Sequence, residues 1–147
     1  IVEQSLTMLK RPLQTRVKVD LHLEEIPPVR GNTGQLIQVL INLITNAQNA
    51  MNDLPRRGGK LSIACYPRGE CVILEVRDDG PGVPEHLQPR LFEPFFSTRS
   101  DRGGAGLGLW ICADIIEAHG GSIEHDPRVG PGALFRIRLP QADVAPR

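Results

Sequence analysis

Hydrophobic positions along the chain follow two periods, and each switch between them marks an element. Val2, Leu6, Leu9 and Leu13 fall at helical spacing, so residues 1–13 are expected to form a short leading helix that Pro12 ends. From Arg16 onward the period is two. Val17, Val19, Leu21 and Leu23 lie on one side and Arg16, Lys18, Asp20 and His22 on the other, the pattern of a half-buried strand. Pro27, Pro28, Gly31 and Asn32 break the pattern, and a long helix is predicted from about Thr33 to Leu54, where only Gly34 interrupts good helix formers. Leu61, Ile63 and Cys65 alternate into a strand, residues 67–70 into a turn, and Val72, Leu74 and Val76 into a second strand, which together predict a hairpin. Helical spacing returns from Leu107 to His119 and stops at Gly120 and Gly121. Two further strands are expected near residues 122–125 and 133–139.

Strands outnumber helices, several have one polar face, and the hairpins require antiparallel pairing, so helices should cover one face of the sheet only. The class is α+β, a two-layer α/β sandwich with a mixed, mostly antiparallel sheet. With 147 residues the chain fits one domain over residues 1–140, followed by a polar tail over 141–147. It opens on Ile1 rather than Met, which suggests a piece of a longer protein. Lys plus Arg equals Asp plus Glu at 17 each, so no net field favours nucleic acid or an anionic membrane surface. Cys65, Cys71 and Cys112 form no CxxC pair and are expected to be buried, reduced thiols. No run approaches the roughly 18 apolar residues of a membrane span, so a domain without direct membrane contact is expected. The reduced thiols imply a cytoplasmic setting even if a parent protein is membrane-anchored, and the isolated domain is expected to be a monomer.

Three features carry candidate chemistry. On a helical wheel Leu36, Leu40, Leu43, Ile44, Ala47 and Met51 share an apolar arc, while Gln35, Gln38, Asn42, Thr45, Asn46 and Asn49 form an almost uncharged polar stripe opposite. Carboxamide oxygens suit a hard cation such as the Mg²⁺ of a nucleotide; the alternative is a merely solvated face. Asp78 falls on the same strand side as Val72, Leu74 and Val76 and precedes Asp79-Gly80-Pro81-Gly82. It is either a turn-forming aspartate or a carboxylate that accepts a ligand's amino group. From about residue 80 to 106 glycine and proline are dense, which marks a lid. Phe92, Phe95 and Phe96 either anchor this lid or grip a partner. Gly104, Gly106 and Gly108 run into a helix start, where bare amides favour phosphate or simply form a hinge.

Taken in order, Asn42-Leu43-Ile44-Thr45-Asn46-Ala47, Asp78-Asp79-Gly80-Pro81-Gly82, Leu91-Phe92-Glu93-Pro94-Phe95-Phe96 and Gly104-Ala105-Gly106-Leu107-Gly108-Leu109 resemble the N, G1, F and G2 boxes of sensor histidine-kinase catalytic domains. Gly132-Ala133-Leu134-Phe135 resembles their last glycine box. The resemblance covers nearly the whole chain and implies the Bergerat-type ATP-binding fold of the GHKL superfamily. It further implies that Asn46 coordinates Mg²⁺ with support from Asn42, that Asp78 binds the adenine amino group, and that Gly80 and Gly82 shape the base pocket. Gly104, Gly106, Leu107 and Gly108 would offer backbone to the phosphates of ATP. Asn49 stands where many relatives carry a lysine; Arg99 is the candidate substitute cation, or else a solvated lid residue.

Hydrolysing and serine-phosphorylating relatives usually carry a glutamate where this chain has Asn42. An amide cannot act as general base, whereas neutral imidazole brings its own lone pair, so transfer to histidine is favoured. None of His22, His86, His119 and His125 has the setting of an acceptor; His22-Leu23-Glu24 comes nearest but falls on a strand. The expected partner is therefore a dimerisation and histidine phosphotransfer domain of the parent kinase and, indirectly, a response regulator. The rival readings are an anti-sigma-type serine kinase and a non-catalytic nucleotide sensor.

Overall fold

The long helix begins where Asn32 can cap it. Its Oδ1 accepts the Gln35 N–H at 2.9 Å, and its carbonyl accepts the Leu36 N–H at 3.0 Å. Asn32 is itself held, because its N–H donates to Nε2 of His119 at 3.0 Å while Nδ1 of that ring meets the Ile115 carbonyl at 2.7 Å. The two bonds together require the neutral imidazole protonated on Nδ1.

The computed structural model describes residues 17–52, 59–94, 108–127 and 132–142. The elements are β1 (Val17–Leu23), α1 (Thr33–Asn52), β2 (Gly59–Arg68), β3 (Cys71–Asp78), a 3-10 helix (Glu85–Arg90), α2 (Gly108–Ala118), β4 (Ser122–His125) and β5 (Leu134–Pro140). The five strands form one sheet in the order β1-β2-β3-β5-β4. β1 runs parallel to β2, and every other pair is antiparallel. The expected leading helix over residues 1–13 lies outside the described residues.

One face of the sheet carries the core. Leu61 and Ile63 of β2, Val76 of β3 and Phe135, Ile137 and Leu139 of β5 meet Leu40, Leu43, Ile44, Ala47 and Met51 of α1 and Cys112, Ile115 and Ile116 of α2. Val39 joins this set at 1% exposure, so the buried face of α1 is wider than the predicted arc. Burying side chains of this size contributes about 1.5–3 kcal/mol each, which fixes α1 against the sheet more firmly than helix propensity could. The opposite face is more polar, though Ile73 and Leu134 are buried on it. Arg136 there binds Glu75 at 2.8 Å, Glu124 at 3.1 Å and Asp126 at 3.2 Å, joining β3, β4 and β5.

Two expectations change. The turn predicted over residues 67–70 shrinks to Gly69 and Glu70, with Gly69 at φ +61°, and Pro67 lies inside β2 opposite Val72. Proline is tolerated because hydrogen-bonding directions alternate along β2: the Cys65 carbonyl faces β1, where it accepts the Glu24 N–H, so the Pro67 nitrogen points past the end of β1. The apolar side of β1 is also more open than its alternation suggests. Val19 and Leu21 are 39% and Leu23 42% exposed, because α1 packs on β2 and β3 and α2 on β4. Beyond this edge Leu23, Ile26, Val29, Leu36 and Leu74 line an apolar groove of about 320 Å³. Among the described residues no helix is long and apolar enough to cross a membrane.

Candidate functional site

Strand β3 ends on Asp78, and the pleat that buries Val72 and Val76 turns this carboxylate toward the same side. Asp78 is 3% exposed. Its N–H donates to the Ala133 carbonyl at 3.0 Å, and its Oδ1 accepts the Gly80 N–H at 2.8 Å. Burial pushes the carboxyl up to about 6, the Asp79 charge adds to the rise, and the main-chain N–H groups of Gly80 and Ala133 partly restrain it.

The turn after Asp78 is wedged from three sides. A Cβ on Gly80 would stand 2.9 Å from Asp78 Oδ1 and 3.2 Å from Ala50 of α1, so glycine lets this backbone lie directly on the helix. Gly132 has φ +96°, and a Cβ there would run into the Asp78 carbonyl. On the third side Asp79 Oδ1 accepts the Lys60 N–H at the start of β2, at 3.0 Å. Gly82, at φ +76°, would bring a Cβ to 3.0 Å from the Gly132 carbonyl.

The polar stripe of α1 divides along its length. Gln35 and Gln38 are exposed, whereas Asn42, Thr45, Asn46 and Asn49 are half-buried. Asn42 hydrogen-bonds the sulfur of Cys112, whose thiol also donates to the Val39 carbonyl at 3.7 Å. Ala50, which touches Gly80, lies one turn beyond Asn46 on the same side of α1. The stripe and the Asp78 turn therefore meet where Ala50 lies against Gly80. Among the described residues no group of three or more His, Cys, Asp or Glu side chains could hold a metal ion. Neutral amide oxygens alone bind a divalent cation weakly, so a Mg²⁺ there fits as an ion carried in by nucleotide phosphates.

Within the segment expected to form a lid, Leu91 is buried and Phe92 packs edge-on against Phe135 with ring centroids 6.2 Å apart. The predicted anchoring role thus holds for Phe92. Phe95, Phe96, Arg99, Gly104, Gly106 and Leu107 lie outside the described residues, and Gly108 is the exposed first residue of α2. Burial pushes the Cys112 thiol up to about 11, so it holds no thiolate near neutral pH. All four histidines are described. His22 is exposed on β1 beside Asp20, His86 is exposed in the 3-10 helix, His119 is committed to Asn32 and Ile115, and His125 leans on Phe135 with Nε2 enclosed and without a partner. None of them is presented on the surface of an α-helix.

Sequence reasoning missed Ala50, Lys60 and Ala133, which fix the Asp78 turn through a helix backbone, an amide and a carbonyl. Their side chains carry no signal for such roles. Only the strand register, which sets Leu61 opposite Asp78, identifies Lys60 as a neighbour.

Residues 31–143 match the model of the family described as histidine kinase-, DNA gyrase B- and HSP90-like ATPases. The C4-dicarboxylate transport sensor protein DctS of Rhodobacter capsulatus is 43% identical over 126 residues, which cover 85% of this chain but 19% of DctS. The catalytic domain of the histidine kinase ThkA superposes with a TM-score of 0.82 at 29% identity, covering 95% of this chain and 90% of that one. ThkA in complex with the response regulator protein TrrA gives 0.78 at 28% identity, over 96% of this chain and 39% of that one. Full-length ShkA in complex with AMPPNP gives 0.81 at 28% identity, over 99% of this chain and 30% of that one.

Proposed function

The chain belongs to the family of histidine kinase-, DNA gyrase B- and HSP90-like ATPases, and we propose that it is the nucleotide-binding part of a sensor histidine kinase. It binds Mg-ATP and passes the γ-phosphoryl group to a histidine on a separate dimerisation and phosphotransfer domain, from which a response regulator is served. The observation that carries this reading is the contact of Gly80 with Ala50, which sets the Asn42–Asn46 stripe beside the buried Asp78 carboxylate. One site thereby offers amide oxygens for a phosphate-bound cation and an acceptor for an exocyclic amine.

In this reading Asp78 accepts from the adenine amino group, while Gly80 and Gly82 keep the base pocket open. Asn46 is the Mg²⁺ ligand and Asn42 its support through α1. Asn49, Arg99, Gly104, Gly106, Leu107 and Gly108 are assigned to the phosphates by resemblance to the family's boxes. Mg²⁺ supplies charge neutralisation on the transferring phosphoryl group. The side chains contribute positioning and electrostatics, and the acceptor imidazole provides the nucleophilic lone pair.

The test is to incubate the chain with ATP labelled at the γ position and a histidine-bearing helical phosphoacceptor domain. Label that is lost in acid and kept in base supports the proposal. Acid-stable label would identify a serine kinase, and ATP binding without any transfer would identify a nucleotide sensor.

A further inference from the structure

Lys60 and Asp79 meet where a β-ladder ought to end. The antiparallel register of β2 and β3 closes on Leu61 opposite Asp78, so the next rung would set Lys60 opposite Asp79. The backbone cannot supply that rung, because after Asp78 it leaves the sheet and turns at Gly80. Instead the Asp79 carboxylate accepts the Lys60 N–H at 3.0 Å in place of a main-chain carbonyl. Gly59 leaves room for it: a Cβ there would stand 3.0 Å from the same Oδ1.

We propose that Asp79 is a positioning residue for nucleotide selectivity, holding the Asp78 carboxylate in the orientation that recognises an exocyclic amine. Asp78 itself is held by its N–H on the Ala133 carbonyl and by the Gly80 N–H on its Oδ1, while the remaining restraints on the turn are steric contacts of glycine backbones, at Gly80 on Ala50 and at Gly132 on Asp78. Contacts of that kind limit approach but do not fix rotation. A hydrogen bond from the residue adjoining Asp78 to the neighbouring strand does fix it, and a charged acceptor makes the bond stronger than a neutral one. Asp79 has no need to touch the nucleotide. Its effect reaches the base through the peptide it shares with Asp78.

This rests on Asp78 as the adenine acceptor, and the experiment separates the two claims. Affinities for ADP and IDP are measured by calorimetry on the chain and on the variants Asp79→Ala and Asp79→Asn, with thermal unfolding of each variant alongside. IDP has a carbonyl where ADP has its amine, so a wild type that fails to prefer ADP would overturn both the Asp78 reading and this proposal. Given that preference, Asp79→Ala is expected to weaken ADP about tenfold while changing IDP less than about threefold. Asp79→Asn keeps an oxygen for the Lys60 N–H and is expected to recover ADP affinity to within about threefold of wild type. The proposal is overturned if Asp79→Ala retains the wild-type ratio of ADP to IDP affinity. Equal losses for both nucleotides, or an asparagine variant no better than alanine, overturn it as well. Should Asp79→Ala fail to fold, the asparagine variant decides: loss of the ADP preference in it sinks the proposal, and retention supports it.

Discussion

Replacing Asp78 by asparagine is expected to stabilise the nucleotide-free chain while weakening its hold on adenine. Burial moves the Asp78 carboxyl from 3.8 to about 6, which at about 1.4 kcal/mol per pH unit corresponds to roughly 3 kcal/mol against the ionised form. The sign follows from the direction of the shift. A carboxyl raised on folding favours the folded state most below 3.8 and loses that contribution as pH rises through about 6. At pH 7.5 the free chain therefore carries an ionised group that its own surroundings penalise. Asparagine has the same shape, its Oδ1 can accept the Gly80 N–H, and it has no charge to desolvate. Allowing for local relaxation, a gain of about 1–3 kcal/mol is expected, or a Tm higher by roughly 3–10 °C in a domain of this size. Thermal unfolding of both proteins without nucleotide, at pH 7.5 and pH 5, measures it. Taking the difference between variant and wild type cancels other titrating groups such as His125, which burial pushes the opposite way. At pH 5 the folded Asp78 is largely protonated but the unfolded carboxyl is not, so the gain should fall to about half and vanish only below 3.8, whereas a gain equal at pH 7.5 and pH 5, or a loss at pH 7.5, refutes the reasoning. ADP should raise the Tm of the wild type far more than that of the variant.

Asn46→Ala should leave the Tm within a few degrees of wild type and abolish Mg-ATP-dependent phosphotransfer in the labelled assay; normal transfer would defeat the assignment of Asn46 to the metal. Gly132→Ala, which drives a Cβ into the Asp78 carbonyl at φ +96°, should cost more than about 3 kcal/mol in urea unfolding. Gly69→Ala, at φ +61° but in open space, should cost only about 1 kcal/mol, and similar losses at the two positions would refute the packing argument. Arg136→Ala takes one partner from each of Glu75, Glu124 and the buried Asp126 and should destabilise by about 2–4 kcal/mol, read as a lower urea midpoint at unchanged ADP affinity.

Periodicity made the architecture legible because burial imposes it directly. The alternation of β3 revealed which face holds Val72 and Val76 and, one step on, that Asp78 shares it. The 3.6-residue pattern of α1 likewise separated core from stripe. Pro67 misled because a residue type signals a turn without signalling which neighbour its missing N–H would have faced, and only the early end of β1 makes β2 hospitable to it. The open side of β1 was hidden for a similar reason: alternation tells which residues share a face, but what covers that face is a property of other elements. Within the site, Asp78 and the glycines were visible as a motif. Its supports were not, since Ala50, Lys60 and Ala133 act through a helix backbone, an N–H and a carbonyl that every residue possesses.

Asn42 joins these threads. In the sequence it mattered as an amide where hydrolysing relatives of the family carry a glutamate, so the stripe holds no group able to take a proton from water. In the fold the same amide is engaged with the sulfur of Cys112, a fully buried thiol at the contact between α1 and α2. On the proposed function the missing base divides the labour: the chain orients ATP and neutralises its charge, and the nucleophile arrives with its own lone pair on another domain. Bound nucleotide then has no attacking group until that histidine docks, which protects it from wasteful hydrolysis for the same reason that it makes transfer depend on the partner.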